Sequence, residues 1–291
     1  ASCVVTPALP ATLVMDSGCA ITGTPTAVSA QSVHTITATN SVGSSSTQYT
    51  VTVNDRTPVI SYAGSTRTLT VGQAIQTWIP ANTGGSVTSC SVSPSLPAGL
   101  ALNTTDCSIT GTPTAVTAAA DYTVSATNTG GSGTTTVNLT VNDVAPAISF
   151  VPSSLIFTDG VAITAFGPGL TGGAVTGCTV TPTLPNGLSV AVQSGNCQIS
   201  GTPSGTATQA GYTFTATNSG GSSSSILAIT VVDPVPAFSF TDSPFTLTQG
   251  VAMTAATPAS SGGPIQSCTS SPALPAGLSV SSACVLSGTP S

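Results

Sequence analysis

Eight cysteines are the residues of this 291-residue sequence whose type and spacing are most suggestive of chemistry. They fall into four pairs, separated by 16, 17, 19 and 16 positions. Beside glycine-rich segments, cysteines can bind a metal, act as reactive thiols or form structural disulfides. The pairs are Cys3 with Cys19, Cys90 with Cys107, Cys178 with Cys197, and Cys268 with Cys284.

The spacing favours disulfides over a zinc site. Structural zinc requires four ligands, usually in CxxC pairs of short and fixed spacing, whereas each unit here offers one cysteine pair without a histidine partner. An interval that varies is typical of a pair that joins the ends of two neighbouring strands, with a free loop between. We therefore predict four disulfides, each contributing about 3 kcal/mol on the chain-entropy model, and an oxidising compartment.

The remaining candidates for catalysis have structural explanations. His34, the only histidine, stands as far after a Gly-Thr-Pro triplet as Tyr122 and Tyr212 do in later units, so we assign it to a tyrosine position at the start of a strand. The triplet itself cannot be a phosphate loop, which needs a lysine, and the sequence has none. With no nucleophile, base and acid that form a triad, we predict no enzymatic activity, no catalytic residue and no cofactor.

Calcium and carbohydrate are two further ligand classes for which the sequence has candidate residues. Asp55, Asp143 and Asp233 recur at the predicted junctions between units, but one carboxylate is too few for a calcium site with six to eight oxygen ligands. We interpret them as turn or linker caps and predict no metal site. Trp78 could stack on a sugar, but no aromatic cluster recurs, and we assign this single tryptophan to the core.

Composition limits the partners. Only 3% of the residues are charged and the net charge is -6, so the chain cannot build the basic patch that nucleic-acid binding needs. No apolar run approaches the length of a transmembrane helix, and we predict no membrane insertion in this segment. With 40% hydrophobic residues, the chain can bury real cores.

The cysteines are positioned by an internal repeat. Gly-Thr-Pro recurs four times, and motifs of the type LPAGL, ATN and TVND recur at matching distances from it. The unit of about 88 residues has the size of a small β-sandwich. We predict units at 1–55, 56–143, 144–233 and 234–291, of which the first and the last are partial.

Each unit reads as a series of short strands. Tyr122, Val124 and Ala126 alternate with polar residues, which indicates a half-buried strand, and a glycine pair after them indicates a hairpin. Short strands separated by frequent turns predict a Greek-key sandwich. The strands that we predict for one unit are 68–71, 74–80, 90–94, 107–110, 122–128 and 134–141.

The order LPAGL, C-x-ISGTPT, YT-x-TATNSGGS and TVND resembles that of bacterial Ig-like domain repeats, which are related to cadherin-like and dystroglycan-like modules. The resemblance covers the whole chain, and it implies tandem arrays in large secreted or surface proteins, where such repeats serve as stalks, adhesins or fibre components. It brings no catalytic residues.

We therefore expect an all-β chain of tandem Ig-like Greek-key β-sandwiches, one disulfide per repeat, in a rod-like array. The expected function is that of a structural extracellular protein that forms a stalk, fibre or filament on or outside a bacterial cell. The alternative is an adhesin segment that binds glycan or protein through domain-end loops. Expected partners are further copies of the repeat, in cis or in neighbouring chains, and a glycan or host-surface ligand.

The partial units at the two ends leave two explanations open. The chain is a window cut from a longer tandem array, or neighbouring subunits complete each other's sandwiches by strand addition.

Overall fold

The structure, a computed structural model, describes residues 2–291, and all regular elements within that range are β-strands. The expectation of an all-β chain is confirmed. The chain divides after Asp143 into two compact units, and each is described by itself. Nowhere in residues 2–291 is there a helix long and apolar enough to cross a bilayer. The bounds of the four predicted units stay predictions.

The first unit opens with a partial sandwich. In it β1, β4 and β5 form an antiparallel sheet with β4 in the centre, and β2 pairs with β3. His34 is the one buried side chain that the structure describes in this segment, so no apolar core forms here. The strands are β1 (Ser2–Thr6), β2 (Val14–Met15), β3 (Ile21–Thr22), β4 (Ser29–Thr39) and β5 (Ser44–Val53).

Residues 56–143 form a complete sandwich. One sheet has the order β7-β13-β12-β9, in which β7 runs parallel to β13 and the other pairs are antiparallel; β10–β11 and β6–β8 are two-stranded. The strands are β6 (Ile60–Ser61), β7 (Thr66–Thr70), β8 (Ala81–Asn82), β9 (Ser89–Ser93), β10 (Leu100–Leu102), β11 (Ile109–Gly111), β12 (Thr117–Asn128) and β13 (Gly131–Asn142).

The core of this sandwich follows the predicted period of two. Tyr122, Val124 and Ala126 on β12 are buried, and so are Val137 and Leu139 on β13. They pack with Trp78 and Ile109 into a single apolar cluster. Every second residue of the long hairpin thus faces the core while its neighbours face solvent.

The predicted strand at 74–80 is wrong. Only Trp78 forms a bridge, to Ile109, and Ile75 donates its N–H to the carbonyl of Gly111 at 2.9 Å. Two residues separate Ile75 from Trp78, whereas only one residue separates their partners, Gly111 and Ile109. A regular ladder between the two segments therefore cannot form. The counterpart in the second unit is a strand whose register shifts at the same place, between Ile163 and Phe166.

The second unit begins with another complete sandwich, over residues 144–233. The sheet β15-β22-β21-β18 packs against β16-β20-β19 around a second apolar cluster, and β15 runs parallel to β22. The strands are β14 (Ala147–Ser149), β15 (Ser154–Thr158), β16 (Ile163–Phe166), β17 (Gly169–Thr171), β18 (Gly177–Thr181), β19 (Leu188–Gln193), β20 (Asn196–Gly201), β21 (Ala207–Asn218) and β22 (Gly221–Val232).

Residues 234–291 contain only four short strands. Segments 244–248 and 267–271, the counterparts of β15 and β18 by sequence, form no strand here. In the complete sandwiches these elements pair with the long terminal hairpin, which has no counterpart in residues 234–291. The strands are β23 (Ala237–Ser239), β24 (Ala259–Ser261), β25 (Leu278–Val280) and β26 (Leu286–Gly288).

Candidate functional site: the cysteine staple and the linker clamp

The four cysteine pairs lie at disulfide distance, with Cα–Cα separations of 5.4, 5.4, 5.8 and 5.2 Å in chain order. Cys178 lies on β18 in one sheet, and Cys197 lies on β20 in the facing sheet. The prediction that a pair joins two neighbouring strands is therefore wrong for Cys178 and Cys197, which connect the two layers of their sandwich. In residues 56–143 Cys90 lies on β9, and Cys107 lies two residues before β11 rather than on a strand. The interval is also not a free loop, since it contains strand β10 or β19.

The structure explains why the interval between the cysteines varies. Cys19, Cys107 and Cys284 each have a positive φ, between 58° and 68°, and reverse the chain themselves. Cys197 does not, because the longer interval before it places Ser194 and Gly195 at positive φ in a two-residue turn between β19 and β20. The extra residues thus form a regular hairpin turn without moving the cysteine.

The LPAGL and Gly-Thr-Pro motifs meet in one backbone contact. Gly99 has φ +88° and Gly111 has φ +126°, and a Cβ on Gly111 would overlap the carbonyl oxygen of Gly99. Thr112 donates its N–H to that carbonyl at 3.0 Å, and the carbonyl of Pro113 accepts from Gly72 at 2.8 Å. Gly187 and Gly201 repeat the contact in the next sandwich. The Gly-Thr-Pro triplet is therefore one half of a two-motif element.

A second recurring element holds the linker that enters the sandwich, and sequence analysis missed it. The carbonyl oxygens of residues 55–58 lie so close to four glycines that a Cβ on any of them would overlap the linker backbone. We call this element the linker clamp, and its glycines are Gly84, Gly85, Gly130 and Gly133. The available signal was the Gly-Gly pair that recurs at 84–85, 172–173 and 262–263.

Asn128, the last residue of the ATN motif, completes the linker clamp. Its side chain is buried and donates to the carbonyls of Arg56 at 2.6 Å and Ser86 at 3.0 Å, while its Oδ1 accepts from Gly130 at 2.8 Å. Asn218 makes the same three kinds of contact, to Val144, Ala174 and Gly220. The motif therefore ties a hairpin turn to the linker and to a second loop.

His34 occupies a structural position, as predicted, but it lies in the middle of β4 and not at the start of a strand. Its ring is buried and stacks on Tyr49, with ring centroids 5.6 Å apart. Nδ1–H donates to the carbonyl of Pro7 at 2.9 Å, and Nε2 accepts from the hydroxyl of Ser32 at 2.7 Å. Both ring nitrogens are engaged within the fold, and neither faces a substrate cleft.

Trp78 lies in the core, as predicted. It is 3% exposed, its indole N–H donates to the carbonyl of Ala63 at 3.0 Å, and the guanidinium of Arg67 lies 4.1 Å from its ring centroid. Tyr62 packs against the indole, and its hydroxyl donates to the carbonyl of Cys107. Burial, and secondarily the carboxylate of Asp106, raise the pKa of Tyr62 to about 12.

The structure does not gather the junction aspartates into a cation site. The Oδ1 atom of Asp55 accepts from the backbone N–H of Arg56 at 2.8 Å, which is a local turn contact. Within residues 2–291, no group of three or more His, Cys, Asp or Glu side chains is placed to hold a metal ion. The recurring geometry of the chain therefore consists of cross-links and clamps.

Comparisons with known proteins identify a family for most of the chain. A family model described as "Putative Ig domain" matches residues 1–54, 57–142 and 145–232. No curated protein matches the sequence.

Solved structures that the chain is similar to include the I67–I69 fragment of the titin I-band, at 14% identity and a TM-score of 0.41, over 79% of this chain and 88% of that one. The insect immune protein hemolin has 17% identity and a TM-score of 0.37, over 69% and 56%. An endo-fucoidan hydrolase of glycoside hydrolase family 107 has 19% identity and a TM-score of 0.26, over 79% and 38%.

Proposed function

The chain belongs to this Ig-domain family, and from that premise we propose that it is a structural extracellular protein. Its tandem sandwiches bear load in a stalk, fibre or filament on or outside a bacterial cell. The partners that we propose are further copies of the repeat, in the same chain or in neighbouring ones.

The observation that carries the proposal is the parallel pairing of an edge strand near the start of each complete sandwich with its last strand. In residues 56–143, strand β7, which lies near the start of the sandwich, pairs with the last strand, β13, over five residue pairs. The strands β15 and β22 repeat the arrangement in residues 144–233. Tension on the two ends of a sandwich pulls such strands in opposite directions along their axes, so all the hydrogen bonds between them are sheared together. Shearing breaks them collectively, whereas peeling would break them one at a time.

The cysteine pairs give the sandwich a second level of resistance. We propose that all four are oxidised in the native protein, since secretion exposes them to an oxidising compartment. A disulfide between Cys90 and Cys107 keeps the segment between them from extending when the rest of the sandwich unfolds. Each disulfide thus limits how far its repeat lengthens under load.

The surface composition supports assembly with further copies. With 3% charged residues, the chain presents hydroxyl, amide and glycine surface that has little charge repulsion to overcome when chains pack side by side. Salt is therefore expected to change the association of neighbouring chains only weakly.

Single-molecule stretching of the full chain tests the load-bearing role. We expect one unfolding peak for each complete sandwich. Reduction of the disulfides releases an extra length of about 50–60 Å per sandwich, because 17 or 19 intervals of extended chain replace a Cα–Cα span of 5.4 or 5.8 Å. Unfolding without measurable force would refute load bearing. Eight titratable thiols in the native protein would refute the staple separately.

An adhesin segment is the second candidate function. The observation that favours it is the exposure of apolar side chains in loops and linkers of the repeats, where Val42, Val151 and Val235 are 93%, 91% and 85% exposed. A glycan and protein array tests this role, and we expect saturable binding that follows one loop when loops are exchanged between repeats. Binding that survives the exchange of every loop would contradict it.

A further inference from the structure

The two complete sandwiches fill the same internal space differently. In residues 56–143 the space holds the indole of Trp78, with Tyr62 at 4.9 Å between ring centroids and the guanidinium of Arg67 lying over the ring. Trp78 is 3% exposed, so side chains of the repeat itself fill the site.

Smaller side chains line the counterpart in residues 144–233. Phe166 stands in place of Trp78, Phe150 in place of Tyr62, and Leu155 in place of Arg67. The ring of Phe157 fills part of the volume that these smaller side chains leave, since its centroid lies 6.0 Å from that of Phe166. An open cavity of ≈ 380 Å³ remains between these side chains.

The lining of this cavity defines the chemistry of its ligand. Its walls are three phenyl rings, aliphatic side chains, two glycines and Ser149, and no charged residue takes part. The volume lies in the range of small-molecule sites, and aromatic walls favour a flat ring in edge-to-face or offset contact. An uncharged aromatic molecule therefore fits, whereas an ion would lose its hydration with no charged partner to replace it, and a sugar would meet one side-chain hydroxyl, that of Ser149.

One polar group at the rim sharpens this assignment. The carbonyl of Ala63 accepts the indole N–H of Trp78 at 3.0 Å. Val151 is the counterpart of Ala63 by sequence and lines the cavity. In the part of the chain that the structure describes, no protein group donates to its carbonyl, which water can reach because Val151 is 91% exposed. A ligand that carries an N–H beside its ring can supply this donor.

We propose that the cavity lined by Phe150, Leu155, Phe157 and Phe166 is a binding site for a small uncharged aromatic molecule of the indole type. The ligand occupies the space that Trp78 fills in the preceding repeat. The site is independent of the load-bearing role, because it needs only the folded sandwich of residues 144–233.

Titration of the isotope-labelled full chain with indole, followed by NMR, tests the site directly. We expect saturable shifts confined to Phe150, Leu155, Phe157, Phe166 and their neighbours, with a dissociation constant of about 1 mM or tighter. We expect 1-methylindole, which lacks the N–H, to bind several-fold more weakly. Shifts that are scattered over the chain or do not saturate would overturn the proposal.

Variants that exchange the two fillings provide the matched control. Phe166→Trp places an indole in the cavity and is expected to weaken indole binding by about tenfold or more. The double variant R67L/W78F opens the counterpart space and is expected to create saturable shifts around residues 62–78. Leu155→Arg is a second way to fill the cavity if Phe166→Trp disturbs the sandwich. Undiminished binding in a folded variant with a filled cavity would also overturn the proposal.

Discussion

The α-carbon of Gly111 lies against the carbonyl oxygen of Gly99, so closely that a methyl group on Gly111 would overlap that oxygen. Gly99 is constrained in the same way, because a Cβ on Gly99 would overlap the carbonyl of Thr112, the residue after Gly111. Two motifs that lie apart in sequence are therefore one structural element, and each requires glycine because of the other.

Substitution Gly111→Ala is expected to destabilise the sandwich of residues 56–143 by about 3 kcal/mol, because it combines a backbone region that only glycine populates with a steric overlap. Fluorescence of Trp78, the only tryptophan, reports the unfolding of this sandwich alone. The matched control is Gly72→Ala, which also has a positive φ but no atom within 4 Å of its Cβ, and we expect it to cost about 1 kcal/mol. Equal losses of stability in Gly111→Ala and Gly72→Ala would show that the contact between Gly111 and Gly99 is unimportant.

The N-terminal repeat has a residue other than glycine at the position of Gly99, so it tests the need for glycine there. Its motif is LPATL, and Thr12, in place of glycine, has φ 71°, where a β-branched residue is strained. We expect Thr12→Gly to stabilise residues 2–55 by about 1 kcal/mol, measured by hydrogen exchange of the β2–β3 amides.

The hydroxyl of Thr12, which donates to the carbonyl of Thr24, offsets part of the strain. Thr12→Ala removes that hydroxyl and keeps the Cβ, so it serves as the control and is expected to destabilise the same amides. Faster exchange in Thr12→Gly than in the parent chain would contradict the strain argument.

The sequence was sufficient for the fold class and for the pairing partners of the cysteines, because both depend on patterns that repeat along the chain. It did not reveal that Cys178 and Cys197 lie in different sheets, since the layer of a short strand depends on contacts far away in sequence. The strand predicted at 74–80 failed for a related reason, since its pattern shows apolar residues but not the mismatch of intervals between Ile75–Trp78 and their partners.

Asn128 illustrates the same limit. The sequence shows ATN only as a marker of the repeat, whereas its side chain bonds to carbonyls 72 and 42 residues away. Substitution Asn128→Ala leaves those groups without their donor, and we expect the unfolding free energy of residues 56–143 to fall by about 3 kcal/mol, measured by Trp78 fluorescence in denaturant.

Asn40→Ala is the matched control for the linker clamp. Oδ1 of Asn40 accepts from Val42 and Gly43 within an exposed turn, so we expect a loss of about 1 kcal/mol or less in its own repeat. If Asn128→Ala cost no more than Asn40→Ala, the linker clamp would not contribute to stability.

The buried hydroxyl of Tyr62 is expected to make the stability of residues 56–143 depend on pH in the alkaline range. Burial, followed by the nearby Asp106 carboxylate, raises the pKa of Tyr62 from 10.0 to about 12. The folded state therefore keeps the phenol proton at a pH where the unfolded chain has lost it. The associated stability is fully present below pH 10 and is lost as the pH rises from 10 to 12, by about 2–3 kcal/mol.

Denaturant unfolding followed by Trp78 fluorescence at several values between pH 9 and 12 measures this loss. Trp78 is a suitable probe because its ring centroid lies 4.9 Å from that of Tyr62. Substitution Tyr62→Phe removes the titrating group, and we expect it to flatten the pH dependence in this range. The variant also leaves the carbonyl of Cys107 without the hydroxyl donor, which is expected to lower stability at neutral pH by about 1–2 kcal/mol. An unchanged alkaline slope in Tyr62→Phe would assign the titration to other groups.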